Sequence, residues 1–361
     1  MKRPVLISII IMSMGVLCSC SARFRGQMPA EYGAKGDVYQ MLYFASLAGS
    51  FHNSQPWKVE VQGNRIIRLY ADTSRELPVV DPERKELYIS LGAFIENLTL
   101  AAGSMGYACD VKLSDGPQSS ALVAGIYLDK TSPTGYDLSL IEKRRTLRSP
   151  FKTVCVKEKD ANQLLASDPQ SVHFFSTLSK KGSYLAQKTI EAYTQQALKK
   201  DAQAELARWM RFSDKDANEK KDGLTTAGMQ IDGISGFFVR HFLKPEDSTK
   251  ESFVKAGIEK TKKQALNCGG WIVITSSDNS VADWIKVGRL YQQLNLTCGR
   301  LQMGFQPMNQ LVEEQNFKKE VATHLSLNGQ LMFVARVGYV AKSFAPVSPH
   351  RPVEAFAKFN K

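Results

Sequence analysis

Arg144, Arg145 and Arg148, with the Thr146 hydroxyl among them, crowd three guanidinium groups into the tract Ile141-Glu142-Lys143-Arg144-Arg145-Thr146-Leu147-Arg148-Ser149-Pro150-Phe151. A planar guanidinium can donate to two oxygens of one anion, so such a run suits a phosphate dianion better than lysines would. Taken alone, the run also suits the solvated end of a helix. Far upstream, the tract from Ala45 to Trp57 offers Ser50, Asn53 and Gln55 as hydrogen-bonding groups. There Pro56 fixes its own backbone angle and restrains Gln55 before it. Trp57 reads as a core residue and His52 as a structural hydrogen-bonding one, with a place near a substrate left open. The chain shows no Ser/His/Asp or His/Cys arrangement, so no catalytic side chain is expected. Any redox chemistry would belong to a bound cofactor.

Together the two tracts resemble the segments by which FMN-dependent nitroreductases hold their flavin. In an ordinary homodimer of that family, an Arg-Arg-Ser/Thr segment of one subunit grips the flavin phosphate. A Ser-x-x-Asn-x-Gln-Pro-Trp loop of the other subunit lines the same site. The resemblance implies that Arg144, Arg145, Thr146 and Arg148 stand at the phosphate, and that Ser50, Asn53 and Gln55 border the ring. Pro349-His350-Arg351-Pro352 looks like the stretch that brings a second basic group, which adds Arg351 and His350. Gly304 to Asn309 matches the backbone that passes the flavin N5. Gly49 and Phe51 depart from the family's Pro-Ser-Ser-x-Asn pattern, which puts pocket shape and substrate access in question.

Each segment occurs once, divided between the halves of one polypeptide. The chain therefore resembles a fused nitroreductase dimer, as in the Acg-like branch. The implied fold is α+β and nitroreductase-like, three-layered, with two related halves forming a pseudo-dimer around one FMN site, and the implied state is a monomer. The implied activity is hydride or electron transfer through flavin to a nitroaromatic, quinone-like or similar flat acceptor. Two alternatives stay open: an envelope protein that sequesters FMN without turnover, and a scaffold that has lost flavin altogether.

At the N-terminus, Lys2 and Arg3 precede the uncharged apolar stretch Val5 to Leu17, which is too short to span a bilayer and has the order of an export signal. It closes on Leu17-Cys18-Ser19-Cys20, which looks like a lipobox with Cys20 as the lipidated residue. An ordinary cleaved signal or a short anchor is the alternative. The expected product is exported and lipid-anchored in the cell envelope, where free nicotinamide cofactors are scarce. Lys and Arg outnumber Asp and Glu by 47 to 35, a net charge of +12, which favours anionic headgroups, phosphate ligands or acidic neighbours. The lysine pairs are spread over predicted helices without interleaved aromatics, so nucleic acid is not expected as a partner. Cys109, Cys155, Cys268 and Cys298 have no metal-ligand spacing and read as small buried residues; an exported chain could still pair them.

The elements that must position these groups follow from periodicity. Residues 1–19 read as the signal and 20–36 as a polar tether. Residues 37–135 read as the first half and 136–361 as the second half with a C-terminal tail. A helix from Val38 to Ala45 leads into the loop, and strands flank Gly63-Asn64 as a hairpin. A core helix spans Lys85 to Met105, with strands near Cys109–Leu113 and Leu122–Leu128. In the second half, Leu138 to Lys143 reads as helix and Tyr184 to Phe212 as one long helix along the seam between the halves. Gly228 to Leu243 is either a lid or a buried connector. Trp271 to Thr275 reads as strand, Val281 to Met303 as helix stopped by Gly304, and Leu331 to Val340 as the last core strand.

Overall fold

The computed structural model describes residues 28–114, 121–341 and 345–360. The proposed signal and Cys20 lie outside them. Helices α1 (Ala30–Ala34) and α2 (Asp37–Ser46) lead to the hairpin β1 (Trp57–Gln62) and β2 (Ile66–Ala71), followed by α3 (Lys85–Ser104), β3 (Tyr107–Leu113) and β4 (Leu122–Lys130). The second half holds α4 (Ser139–Lys143), α5 (Glu158–Leu165) and β5 (Val172–Ser176). A long excursion then carries α6 (Lys180–Ala197), α7 (Lys200–Trp209), the short parallel strands β6 (Met210–Arg211) and β7 (Leu224–Thr225) around α8 (Asp214–Lys220), α9 (Gly233–Phe242) and α10 (Glu251–Leu266). The chain returns through β8 (Gly270–Ser276), α11 (Val281–Arg300), β9 (Met303–Pro307), α12 (Gln310–Glu313), α13 (Gln315–Leu325) and β10 (Gln330–Tyr339), and ends in β11 (Ala357–Asn360).

The expected α+β class holds, and the two halves share one topology. The first sheet runs β1-β2-β4-β3 and the second β5-β8-β10-β9, every one of these pairings antiparallel, with a long helix between the second and third strands in chain order. Those helices, α3 and α11, pack against each other. At their crossing Gly92 faces Gly288, each the eighth residue of its helix. A Cβ on Gly92 would lie 2.2 Å from the Ile285 carbonyl oxygen, and one on Gly288 would lie 2.0 Å from that of Ile89. The contact is thus two-fold symmetric within one chain. Buried polar pairs flank it: Gln292 Nε2 donates to Asn97 Oδ1 at 2.7 Å, and Arg289 Nε donates to Glu96 Oε2 at 2.8 Å.

Several expectations need correction. Ala30–Ala34 is helical and Tyr32 is buried, its hydroxyl donating to Glu354 at 3.0 Å. The folded body therefore begins ahead of Asp37, because an aromatic ring there finds a core to enter. The expected single helix from Tyr184 breaks at Leu198–Lys199, and it packs on α10 and α12 instead of the seam. Gly304 sits inside β9; α11 ends at Arg300, and the reversal is taken by Gln302 with φ 55°. The tail also leaves its own half, since β11 pairs in parallel with β1. Of the cysteines, Cys268 and Cys298 are buried, while Cys109 and Cys155 are partly exposed; all four are free.

At one end of the seam, Asn309 Nδ2 donates to Glu86 Oε1 at 2.7 Å, joining the second half to the start of α3. Burial, reinforced by Glu313 and Asp81, pushes the Glu86 carboxyl well above the usual range. Glu313 is raised as well, first by burial, and Asp81 is pushed up to about 7 by burial. Unfolded, Glu86 releases its proton near pH 4.3; folded, it holds the proton to higher pH. Its contribution is therefore complete at low pH and lost as pH rises from about 4.3.

Two measurements test this seam. Gly288→Ala should cost about 1–3 kcal/mol, the range for overpacking a tight interior, read as a drop in urea midpoint at constant slope. Glu86→Gln, which has no proton to lose, should raise the melting temperature at pH 8 and leave it near the parent value at pH 4.5. Equal shifts at both pH values would contradict the assignment.

Candidate functional site

The tract from Arg144 to Lys152 is irregular, so its path is set by tertiary hydrogen bonds. Leu147 N donates to Phe305 O in β9 at 3.1 Å, and Lys152 N donates to Tyr339 O in β10 at 2.8 Å. The Phe151 ring fills a notch between the paired strand residues Gly304 and Gly338, where a Cβ would lie 2.3 Å and 3.1 Å from its atoms. Beneath the tract lies Arg336, fully buried in β10. Its guanidinium donates to Ser149 O at 2.8 Å, to Gln264 O and Asn267 O at 3.0 Å, and to Gln306 Oε1 at 2.7 Å, and it stacks 4.0 Å over Phe151. Burial pushes its pKa down to about 9. Sequence reasoning passed over this residue, although a lone arginine in the apolar run Leu331 to Val340 was the available signal.

The first-half loop is equally determined. Gly49 lets Tyr291 approach closely, because a Cβ there would sit 1.9 Å from the Tyr291 hydroxyl and force that side chain to move. Its departure from the family pattern thus makes room for a side chain of α11. Three residues of the loop, His52, Asn53 and Gln55, adopt φ of 50°, 53° and 54°, a region that asparagine enters more readily than most residues. Ser50 Oγ accepts from Gln55 N at 3.0 Å. Asn53 Nδ2 donates to Pro349 O at 3.0 Å and Gly223 O at 3.3 Å. Gln55, fully buried, donates to Lys221 O at 2.8 Å and accepts from Arg351 N at 2.8 Å. Arg351 returns to the loop, donating to Gln55 O at 2.6 Å and Trp57 O at 2.9 Å. Asn53, Gln55 and Arg351 therefore clasp the loop, the tail and the excursion together, with these polar atoms turned inward. His350, half-buried, follows Pro349 in that tail. Trp57 is fully buried against Phe94, a core residue as read.

The two tracts meet. Arg144 Nε donates to Leu47 O at 3.0 Å, at the entry to the loop. Arg148 stands close enough to His52 that its charge, after the larger effect of burial, holds the imidazole down to about 4. The same pair of causes brings Lys260 down to about 8. Burial lowers Arg144, Arg145 and Arg148 too. Among the described residues, no carboxylate forms an ion pair with Arg145, Arg148 or Arg336. Arg148 instead donates from Nη1 to Gly228 O at 2.8 Å and from its backbone to Gln230 Oε1. Arg145 Nε and His52 Nδ1 are buried without a hydrogen-bond partner. Arg145 and Thr146 line a cleft of about 200 Å³ together with Gly228, Gln230, Asp232 and Ser348 of the tail. Arg145 and Asp232 are the charged residues of the cleft lining, and with Arg144 and Arg148 in the same tract the cations outnumber the acids there, a setting suited to an anion.

Beside the cations runs an aromatic cluster: Tyr291 packs on Phe333 at 4.8 Å and on Phe305 at 5.8 Å, and Phe51 meets Phe333 edge-on at 6.3 Å. In the stretch Gly304 to Asn309, the side chains of Gln306 and Asn309 are spent internally, on Gln264 at 3.2 Å and on Glu86. Tyr291, Gln264 and Lys260 are site neighbours that sequence spacing gave no reason to single out.

No family model matches the chain. A protein of Mycobacterium tuberculosis strain H37Rv, provisionally named an NAD(P)H nitroreductase, is 29% identical over 117 residues, 32% of this chain and 34% of that protein. PigM of a Serratia strain, likewise named an NAD(P)H nitroreductase, is 28% identical over 133 residues, 35% of this chain and 37% of that one. The chain thus spans about a third of the length of the curated relatives it matches. Among solved structures, the FMN-dependent nitroreductase NfnB of Mycobacterium smegmatis, in complex with NADPH, matches at 14% identity over 62% of this chain and 100% of that chain, with a TM-score of 0.41. A protein of Anabaena variabilis, provisionally named a nitroreductase, matches at 11% identity over 88% of this chain and 90% of that chain, with a TM-score of 0.37.

Arg336→Met should cost roughly 3–5 kcal/mol in chemical denaturation, because it strips the donor from several buried carbonyls at about 1–3 kcal/mol each. A loss under 1 kcal/mol would show that the tract holds its path without that guanidinium.

Proposed function

We propose that this chain is a nitroreductase-superfamily protein of the Acg-like branch that binds one FMN between its halves and passes electrons through it to a flat acceptor, nitroaromatic or quinone-like. One observation carries the reading. Arginines that cannot shed their protons are gathered under partial burial, without ion-pairing carboxylates for Arg145 and Arg148, against the loop that resembles a flavin-lining segment. The donor set fits a phosphate, and the orphaned Arg145 Nε is a position at which an anion would restore a missing hydrogen bond.

In this reading Arg144, Arg145, Thr146 and Arg148 hold the phosphate end. The Ser50 to Gln55 loop, fixed by Asn53, Gln55 and Arg351 and joined to the tract where Arg144 donates to Leu47 O, borders the ring end, with His350 in the tail beside it. When bound, FMN supplies hydride acceptance at N5 and donation to the acceptor. The chain contributes orientation, exclusion of water and a positive field that favours the reduced, anionic flavin. NAD(P)H is the donor in the relatives' names. For a chain exported and lipid-anchored through Cys20, as proposed, a different envelope donor would be required. One chain supplies both halves of the seam, so the proposed state is a monomer.

A second reading, FMN sequestration without turnover, is favoured by one contact. Gly228 and Gln230 of the excursion bond Arg148 directly, so the same segment that walls the cleft also covers the cations.

Adding FMN to the purified apoprotein should quench flavin fluorescence and raise the melting temperature. Arg145→Ala should weaken that binding by about 1.5–3 kcal/mol, the range for hydrogen bonds to charged groups. No change in titration would sink the phosphate assignment. Anaerobic bleaching of bound flavin by NADPH, followed by reoxidation with a nitroaromatic, supports turnover; bound flavin that stays yellow supports storage.

A further inference from the structure

We infer that α9 is an interfacial helix that seats its outer face on an anionic lipid surface. The helix is built inside out. Its positions Ile234, Phe237, Phe238, His241 and Phe242 recur at the spacing of one helical stripe. That apolar stripe faces solvent: Ile234 is 90% exposed, Phe242 63%, Phe238 54% and Phe237 50%. The opposite side is the one that packs, through Val239 and through Gly236, where a Cβ would lie 2.2 Å from Ile231 O. The orientation is therefore fixed by the fold. Neighbouring rings organise the stripe, with Phe237 stacked on His241 at 4.2 Å and Phe238 on Phe242 at 5.1 Å.

Charge complementarity identifies the occupant. From Gly233 to Pro245, between Asp232 and Glu246, the chain has no acidic residue, whereas Arg240 and Lys244 stand with His241 at the C-terminal end of the stripe. An apolar aromatic face with cations at its margin suits the boundary between headgroups and acyl chains. A protein core or a second copy of this face would gain nothing from the cations at its margin. At ten residues α9 can lie in that boundary but cannot cross a bilayer. The stripe also connects to the cleft, since Asp232, which lines it, immediately precedes α9.

The test uses the full chain carrying Phe238→Trp, mixed with vesicles of phosphatidylglycerol bearing brominated acyl chains. The unsubstituted chain supplies the background of its four tryptophans. The new tryptophan should lose at least half its emission, and much less with brominated phosphatidylcholine or at high salt. Phe237→Ser with Phe242→Ser, both at exposed positions, should weaken that quenching at least tenfold in vesicle concentration. Pelleting with vesicles while Trp emission at position 238 stays unquenched would overturn the proposal, leaving contact through the N-terminus alone. Failure to bind anionic vesicles would overturn it too. So would a dimer without lipid that Phe237→Ser dissociates, which would assign the face to a second copy.

Discussion

The close crossing of α3 and α11 is the constraint from which the rest of this structure is built. Two helix backbones can approach this nearly only where both lack a Cβ, and Gly92 and Gly288 meet that condition reciprocally. One turn beyond Gly288, Tyr291 is carried to Gly49, and Gln292 accepts from Gly49 N at 3.4 Å. The position of the first-half loop is thus measured from the second half's helix. A side chain at the crossing would separate the halves and, with them, the loop from the arginine tract.

The symmetry so created is broken between the first two strands of each half. Between the first two strands, the first half uses a hairpin around Gly63-Asn64, whereas the second inserts the whole excursion from α6 to α10. That excursion supplies Gly228 and Gln230 over Arg148 and Lys221 and Gly223 to the loop clasp. The arginine tract belongs to one half and the Asn53 loop to the other. A two-fold scaffold therefore brings these two tracts together once, and the excursion from the second half covers the junction.

How much of this was legible depended on whether the deciding interaction was local. The helices from Lys85 and Val281 and the hairpin at Gly63-Asn64 are written in periodicity and turn chemistry, and they stand within a few residues of expectation. The break at Leu198–Lys199 was hidden because the apolar stripe continues across it. The departure was set by distant partners, such as Glu314 pairing with Lys199 at 2.6 Å. Gly304 looked like a helix stop because a glycine after a long apolar pattern has that meaning more often than a notch for Phe151. Asn53, Gln55 and Arg351 read as cofactor-binding residues in the sequence, whereas their side-chain atoms serve loop and tail carbonyls and an amide; only the folded chain shows which polar groups are already satisfied.

Two buried charge clusters show how the same desolvation penalty is resolved in opposite ways. At Glu86, Glu313 and Asp81 burial raises the carboxyl pKa and so favours the neutral form, a route open to carboxyls. The arginines cannot follow, because a guanidinium keeps its proton under any ordinary condition. Arg336 resolves its burial by filling its donors with carbonyl and amide oxygens, and so it serves as a strut. Arg148 is partly filled by Gly228, and Arg145 keeps a buried Nε without a partner. Cations that are neither neutralised, paired nor saturated retain free energy that an arriving anion can release. The gradient from Arg336 through Arg148 to Arg145 therefore runs from a saturated strut to an unsaturated cation that lines the cleft.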